Sequence, residues 1–451
     1  MVRTYINKLN KLGGNMEKIY FKDLEEYKGK EIEVQGFVDN IKNLKSVQFV
    51  ILRDGTGKLQ VTIEKNDNNS ELNDIISAIN TESTVKINGK LIDSPSVKLN
   101  GIELIPQSIE VTSSAEKLPI NYKDSGISRS IRHDNRFLDL RTERNHKIFE
   151  IETLLEESIR EYCLANEFME IHSPKITAKA AESGAEVFKL DFFGQRAALS
   201  QSPQFYKQMA MISGFDKIFE IGPAFRAEKS DTNYHAAEIN MCDMEISWVD
   251  NIKEIESIEE EMLKHVFENI NNKYSNIINK EFNAKTVNVD VNFPAISFAE
   301  AKNILKEKYN YIGEKSNDLE RKEELLLCKY ALEKYKSDLI FIEGFPFSNR
   351  AFYQQKDENG ITRSYDLLYR GLEITTGALR EHRYDLLLKQ IIEKNINPND
   401  LKFYLEMFKY GCPPHGGYGV GLSRVLMKTL NIDNIMDTNF IYRGSSRKLK
   451  M

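Results

Sequence analysis

A chain of 451 residues is too long for one ordinary domain and has length for two or three. With 41% hydrophobic and 29% charged residues, and no apolar run long enough to cross a bilayer, the sequence excludes a membrane-spanning helix. The net charge of −6 neither demands nor forbids a nucleic-acid partner, because a local basic face is what binds one. Cys163, Cys242, Cys328 and Cys412 lie far apart, with no spacing that would hold zinc, and read as reduced thiols of a cytoplasmic protein.

Residues 1–16 are basic and end near Gly13 and Gly14, which reads as a flexible tail. Residues 17–112 then carry five short β-rich runs, EIEVQGFV, SVQFVILRD, KLQVTIE, STVKINGKLI and GIELIPQSIEV, with turns at Asp54-Gly55-Thr56-Gly57 and Asn100-Gly101 and one helical insert near Ser70 to Asn80. Five strands with that insert predict a small Greek-key barrel of the oligonucleotide-binding type. Such barrels stack bases on exposed aromatics of their strands, and Phe37 and Phe49 are candidates for that role, with a plain core role as the alternative. Twelve Lys or Arg against sixteen Asp or Glu in this stretch give no support from charge. A polar, then arginine-rich linker or hinge follows over 113–143, with Arg129, Arg132, Arg136 and Arg141.

From residue 144 a long amphipathic helix runs to about Asn166 on Ile148, Ile151, Leu155 and Ile159, and a short strand ends at Pro174. The stretch Lys217 to Asp250 is two alternating runs around a polar loop, which predicts an antiparallel hairpin with Glu220, Arg226 and Glu228 on one face and Asp243 and Glu245 sharing a side on the return. So many charges on a sheet face point to a ligand site, against the plainer reading of a solvated hairpin. Further helices are expected over Ile252 to Asn272, Phe298 to Tyr309, Leu319 to Lys336 and Tyr384 to Glu393, strands near Lys285 to Val291 and Asp338 to Ile342, and solvated turns over Asn271 to Asn283.

Four further pieces carry candidate chemistry. AKAAESGAEVF has the composition of a lid and carries Glu182. In LSQSPQFYKQ, Gln204 and Lys207 stand one helical turn apart, two hydrogen-bond donors suited to a carboxylate or simply an exposed polar face. YDLLYRGLEITTGALREHR offers Asp366, Glu373 and Thr376 as hard oxygen ligands for Mg2+, and Arg380 as a planar fork for a carboxylate. PPHGGYGVGLSRVLMKTL combines close glycines with an apolar helical face and Arg424 on its first turn; the spacing is not that of a dinucleotide-binding turn.

Taken together these segments resemble the class II aminoacyl-tRNA synthetases, most closely the aspartyl enzymes of archaeal and eukaryotic type. Pro174 looks like the family's motif 1, FEIGPAFRAE with His235 and CDME like motif 2, and GYGVGLSR like motif 3, in the family's order. The resemblance implies an α+β chain: the five-stranded barrel as anticodon-binding domain, and over 144–451 a class II catalytic domain, an antiparallel sheet flanked by helices, in a homodimer. It implies ATP and Mg2+ as cofactors, with tRNA and L-aspartate as partners. By the same resemblance Arg226, Ala227, Glu228, Tyr234, His235, Ala236, Glu373, Gly421, Leu422, Ser423 and Arg424 bind ATP. Glu182, Gln204, Lys207, Arg226, Asp243, Thr376 and Arg380 hold aspartate, and Asp366, Glu373 and Thr376 hold the metal. Arg226, Glu373 and Arg424 are the catalytic set. Tyr234 departs from the family, where an arginine is usual before His235, and so do Ile239 and the segment Phe440-Ile441-Tyr442-Arg443. A paralogue that activates an amino acid without charging tRNA, or a catalytically weak tRNA-binding protein, is the alternative.

Overall fold

In the computed structural model, residues 18–178, 186–230 and 232–445 are described. The tail over 1–16, Glu182 of the expected lid and Asp231 of the hairpin loop lie outside them. The chain divides into two compact units, Met1–Ile127 and Ser128–Met451.

The first unit is a closed barrel of β1 (Glu31–Asn43), β2 (Val47–Arg53), β3 (Lys58–Glu64), β4 (Thr84–Asp93) and β5 (Ile102–Ser113), in the order β1-β2-β3-β5-β4, with α1 (Ser70–Ala78) between β3 and β4. The five runs and the insert are where their alternation predicts them. Val34, Val38, Val50, Leu52, Val61 and Ile87 fill the interior, as period-two patterning requires. Phe37 and Phe49 stay partly exposed outside that core, and the Arg53 guanidinium lies over the Phe37 ring at 4.7 Å.

In the second unit, Arg129–Asp134 (α2) and Arg136–Asp139 (α3) are short helices whose arginines meet acids: Arg129 pairs with Asp433 and Asp437, and Arg132 with Asp139 and Asp437. After α4 (Glu143–Ala165) come β6 (Met169–Glu170), a small sheet of β7 (Ile176–Ala178), β8 (Lys189–Phe192) and β9 (Gln195–Leu199), and then α5 (Gln204–Ile212). The hairpin is β10 (Lys217–Phe225) and β11 (Glu238–Ser247), followed by α6 (Ile252–Glu281), β12 (Ala295–Ser297), α7 (Phe298–Tyr309) and α8 (Arg321–Tyr335). β13 (Leu339–Glu343), β14 (Ser364–Tyr369), β15 (Leu372–Leu379), α9 (Tyr384–Glu393), α10 (Lys402–Met407), β16 (His415–Gly421) and α11 (Leu422–Thr429) complete it. Its main sheet runs β12-β13-β14-β15-β16-β11-β10-β6, antiparallel except at its two edges.

One face of that sheet is packed. On β11, Cys242, Met244 and Ile246 point into a core shared with Ile148, Ile151, Leu155 and Ile159 of α4 and Met262, Val266, Phe267 and Ile270 of α6. The alternate residues Met241, Asp243 and Glu245 therefore face the other side. Two expectations fail. Asn271 to Asn283, expected as turns, continues α6 to Glu281, because Tyr274 and Ile278 extend the buried stripe of Ile270 at helical spacing. Lys285 to Val291 forms no strand, and β12 joins the sheet edge instead. No helix among the described residues is long and apolar enough to cross a membrane.

Candidate active site

The unpacked face of the sheet carries a cavity lined by Gln204, Lys207, Arg226, Asp243, Glu373, Thr376, Arg380, Gly421 and Arg424, together with Ser202, Ile239, Met241, Tyr353, Gln354, Ile374 and Gly419. Residues from α5, β11, β15, β16 and α11, with Arg226 just past β10, thus meet in one place. The plainer reading of Gln204 and Lys207 as an exposed helix face does not hold, since they are 4% and 1% exposed.

At the inner end, four charged groups neutralise one another. Lys207 Nζ donates to Asp243 Oδ1 at 3.0 Å and to the Met244 and Tyr418 carbonyls at 3.2 and 3.1 Å, with Glu245 Oε2 at 3.3 Å. Arg380 lays its fork on Glu245, Nε to Oε1 at 2.8 Å and Nη2 to Oε2 at 3.1 Å, and Nη2 also donates to the Gly417 carbonyl at 2.9 Å. Burial opposes ionisation of Glu245, but Arg380 and Lys207 outweigh it and hold its carboxyl at about 2. Lys207 and Arg380 are matched by Asp243 and Glu245, because bare charges in so buried a place would be too costly. Two donors remain. Arg380 Nη1 has no hydrogen-bond partner among the described residues, and Gln204 Nε2 is buried without one. Gly417 is required by this arrangement, since a Cβ there would stand 2.0 Å from the Met244 carbonyl oxygen. Its bareness serves sheet packing, while Gly419 and Gly421 are the glycines that line the cavity.

The outer end is looser. Arg226 follows the last residue of β10, its N–H bonded to the Ala237 carbonyl at 2.8 Å, and its guanidinium has no ion-pair partner among the described residues. Arg424 donates from Nη1 to the Glu373 carbonyl at 2.9 Å, with Glu373 Oε1 at 4.0 Å. Glu228 and His235 are exposed, and His235 Nδ1 meets Thr232 Oγ1 at 2.6 Å. Desolvation by its own loop, then the positive charges of Arg424 and Arg226, hold that imidazole below its ordinary value. Ala227 is half-buried, Tyr234 is half-buried against the core, and Ala236, Leu422 and Ser423 are buried; none of the five lines the cavity with its side chain.

The third cluster depends on a bulge. Leu367 pairs with Thr375 and Leu368 with Glu373, so Ile374 is extra and the alternation of β15 slips there. Glu373 and Thr376, three apart, come to the same side, and Thr376 Oγ1 donates to Asp366 Oδ1 at 2.8 Å and Glu373 Oε1 at 3.2 Å. Asp366 is held by Arg350, Nη1 to Oδ1 at 2.9 Å and Nη2 to Oδ2 at 2.6 Å. Burial lifts the Asp366 carboxyl to about 6 against the pull of Arg350. Asp366 accepts from Arg350 on both oxygens and from Thr376 on Oδ1, whereas Glu373 Oε2 has no hydrogen-bond partner among the described residues. No cluster of three His, Cys, Asp or Glu among the described residues could hold an ion alone.

Two residues of this site escape sequence reasoning. Glu245 shares a side with Asp243, which marks it as facing the ligand, yet its partner Arg380 is 135 residues away. Arg350 sits in an irregular segment with no motif around it, and nothing in the pattern connects it to Asp366. Glu220 does not join the site: its carboxylate accepts from the Ser173 N–H at 3.0 Å and from Lys175 Nζ at 2.6 Å, fixing the chain after β6.

Comparison with known proteins supplies the rest. Residues 128–441 match the model of the class II tRNA synthetases (D, K and N). The chain belongs to that family. In addition, residues 32–112 match the OB-fold nucleic acid binding domain. Among relatives of this synthetase, the aspartate–tRNA(Asp) ligase of Pyrococcus horikoshii is 38% identical over 435 residues, 94% of this chain and 97% of the other. The aspartate–tRNA(Asp/Asn) ligase of Methanopyrus kandleri is 36% identical over 424 residues, 94% and 96% of the two chains. The crystal structure of asparaginyl-tRNA synthetase from Pyrococcus horikoshii complexed with asparaginyl-adenylate superposes with a TM-score of 0.90 at 30% identity, covering 97% and 100%. A putative aspartyl-tRNA synthetase from Leishmania major Friedlin gives 0.85 at 28%, covering 97% and 96%.

Proposed function

We propose that this synthetase is an aspartate–tRNA ligase, which activates L-aspartate with ATP and passes the aspartyl group to tRNA(Asp). The observation that carries the choice of amino acid is the pair of donors left over at the inner end, Arg380 Nη1 and Gln204 Nε2, beside the Lys207 ammonium. Those two donors suit the oxygens of a side-chain carboxylate, with the ammonium adding positive charge, and an asparagine amide would turn its own NH2 against them. Asp243, which lines the same cavity, supplies an acceptor for the substrate ammonium. The names of the curated relatives support the same reading, although solved asparaginyl enzymes share the fold equally well.

In this reading an oxygen of the aspartate α-carboxylate attacks the α-phosphorus of ATP in line. The bond to pyrophosphate breaks, and aspartyl-adenylate forms. A terminal hydroxyl of tRNA then attacks the activated carbonyl and releases AMP. No protein nucleophile is needed, so positioning and charge do the work. Arg226 spans the reacting carboxylate and the α-phosphate from the cavity wall, its guanidinium without an ion-pair partner among the described residues. Arg424, steadied by the Glu373 carbonyl, lies against the nucleotide, which Glu228, His235 and the backbone around Ala227, Ala236 and Gly421 to Ser423 enclose. Glu373 would hold Mg2+, which would supply charge neutralisation at the phosphates, with Thr376 orienting that carboxylate and Asp366 held beside it by Arg350. We also read the chain as a cytoplasmic homodimer: Met169, Ile176 and Phe192 on the short strands around Pro174, and Phe193 in the turn after β8, leave apolar area exposed.

ATP–pyrophosphate exchange tests the activation step. Exchange with aspartate alone is expected, and exchange driven by asparagine or lysine instead would overturn the pocket reading. Charging of separately purified tRNA(Asp) and tRNA(Asn) tests the transfer step: acceptance of tRNA(Asp) is expected, failure of both leaves amino-acid activation alone, and acceptance of both extends the substrate range.

A further inference from the structure

A cation from outside the three motifs lies behind the wall of the outer end, linked through one carboxylate to the lining residue Glu373. Helix α8 opens on Arg321, whose guanidinium lies over the Tyr234 ring, 4.4 Å from its centroid. Arg321 Nη1 donates to Glu324 Oε2 at 2.9 Å, and the same oxygen accepts the Glu373 N–H at 3.2 Å. Arg321 is therefore one shared carboxylate away from the residue that Arg424 grips from the other side. Its Nε is buried without a hydrogen-bond partner. One turn beyond Arg424 on α11, half-buried Lys428 lies within electrostatic reach of both Arg321 and Glu324, and burial followed by the Arg321 charge lowers its pKa.

The local charge does not balance. Arg226, Arg321, Arg424 and Lys428 face Glu324 and Glu373, with Asp366 already matched by Arg350. Arginines that merely brace this fold are compensated: Arg370 meets Asp338 and the carbonyls of Lys285, Thr286 and Lys428. An uncompensated cation set beside a ligand cavity suits a polyanion, and a guanidinium stacked on a ring presents its fork in a fixed direction. Tyr234 itself brings no charge to that loop and instead supplies the ring.

We propose that Arg321 is a phosphate-binding residue, contacting the β- and γ-phosphates of ATP and steadied for that contact by the ring of Tyr234. The inference rests on the reading of this cavity as an ATP site. Calorimetric titration of the full chain with ATP and with AMP, without amino acid, tests it. Arg321→Gln weakens ATP about tenfold and leaves AMP within twofold; Arg321→Lys, which keeps the charge and loses the fork, weakens ATP alone by about threefold. A residue with only a structural role would move both nucleotides together. An unchanged ratio of ATP to AMP affinity in the two variants overturns the proposal, and Arg321→Lys carries the test if Arg321→Gln folds poorly. Wild-type protein that binds no ATP would overturn the ATP reading as well, which distinguishes the two failures.

Discussion

The two ends of the cavity handle charge in opposite ways. At the inner end Lys207, Asp243, Glu245 and Arg380 have side chains no more than 8% exposed and are paired among themselves. At the outer end Arg424 and Glu373 are 20% and 38% exposed and only loosely paired, and Arg226 has no ion-pair partner among the described residues. Charges that deep must be compensated by the fold before any ligand arrives, since an isolated buried ion costs several kcal/mol. Near the mouth, water carries that cost until a nucleotide displaces it. The inner end is thus a preset shape that a small amino acid enters by sharing existing hydrogen bonds, while the outer end holds charge in reserve.

The contrast breaks most sharply at Arg226. Because no described residue relies on its guanidinium, Arg226→Ala should leave thermal unfolding within a degree or two of wild type. Aspartate-dependent pyrophosphate exchange should nonetheless fall at least a thousandfold, about 4 kcal/mol of transition-state stabilisation. Exchange that survives this change would remove Arg226 from the chemistry.

At the inner end the order of effects should reverse, stability failing before binding can be measured. Lys207→Met strands Asp243 in the interior, while Glu245 keeps Arg380, and should cost about 3–5 kcal/mol in urea unfolding. Adding Glu245→Gln should not simply sum with it, because the two side chains share one ion pair at 3.3 Å. A loss below about 1 kcal/mol for Lys207→Met would mean that the four groups are not coupled as drawn.

The same contrast explains what the sequence could disclose. Period-two and helical alternation revealed the barrel strands, the hairpin and α4, since each depends on neighbours within a few residues. The one-turn spacing of Gln204 and Lys207 revealed a shared face but not its burial. The partners of Lys207 and Arg380 were hidden: Glu245 matters because β16 brings β15 and β11 to either side of it, a fact of topology. The pairing of Asp366 with Arg350 was equally hidden. Nor did alternation foretell that Glu373 and Thr376 share a side, because the bulge at Ile374 inverts the parity on which such reasoning depends. Charges near the mouth, read from motifs alone, were easier to assign because their partners are few.

His415 gives a smaller and subtler test of the preset end. It lies 1% exposed at the start of β16, where its carbonyl accepts the Arg380 N–H at 2.9 Å. Its ring is held as the neutral tautomer, with Nδ1–H donating to the Pro413 carbonyl at 2.8 Å and Nε2 accepting from Gln208 Nε2 at 2.9 Å. Burial pushes it from its ordinary 6.5 to about 4. The unfolded chain therefore binds a proton at this residue near pH 6.5 that the folded chain refuses until about pH 4, so its contribution is complete above 6.5 and is lost as the pH falls towards 4. Between pH 7 and pH 5 that amounts to about 2 kcal/mol. His415→Gln keeps an acceptor for Gln208 and cannot titrate, so the stability gap between wild type and variant should narrow by that amount over the same interval, with contributions from other groups cancelling. A gap that stays constant with pH would mean that this imidazole is hydrated or already charged, and that the support beneath Arg380 is softer than its packing implies.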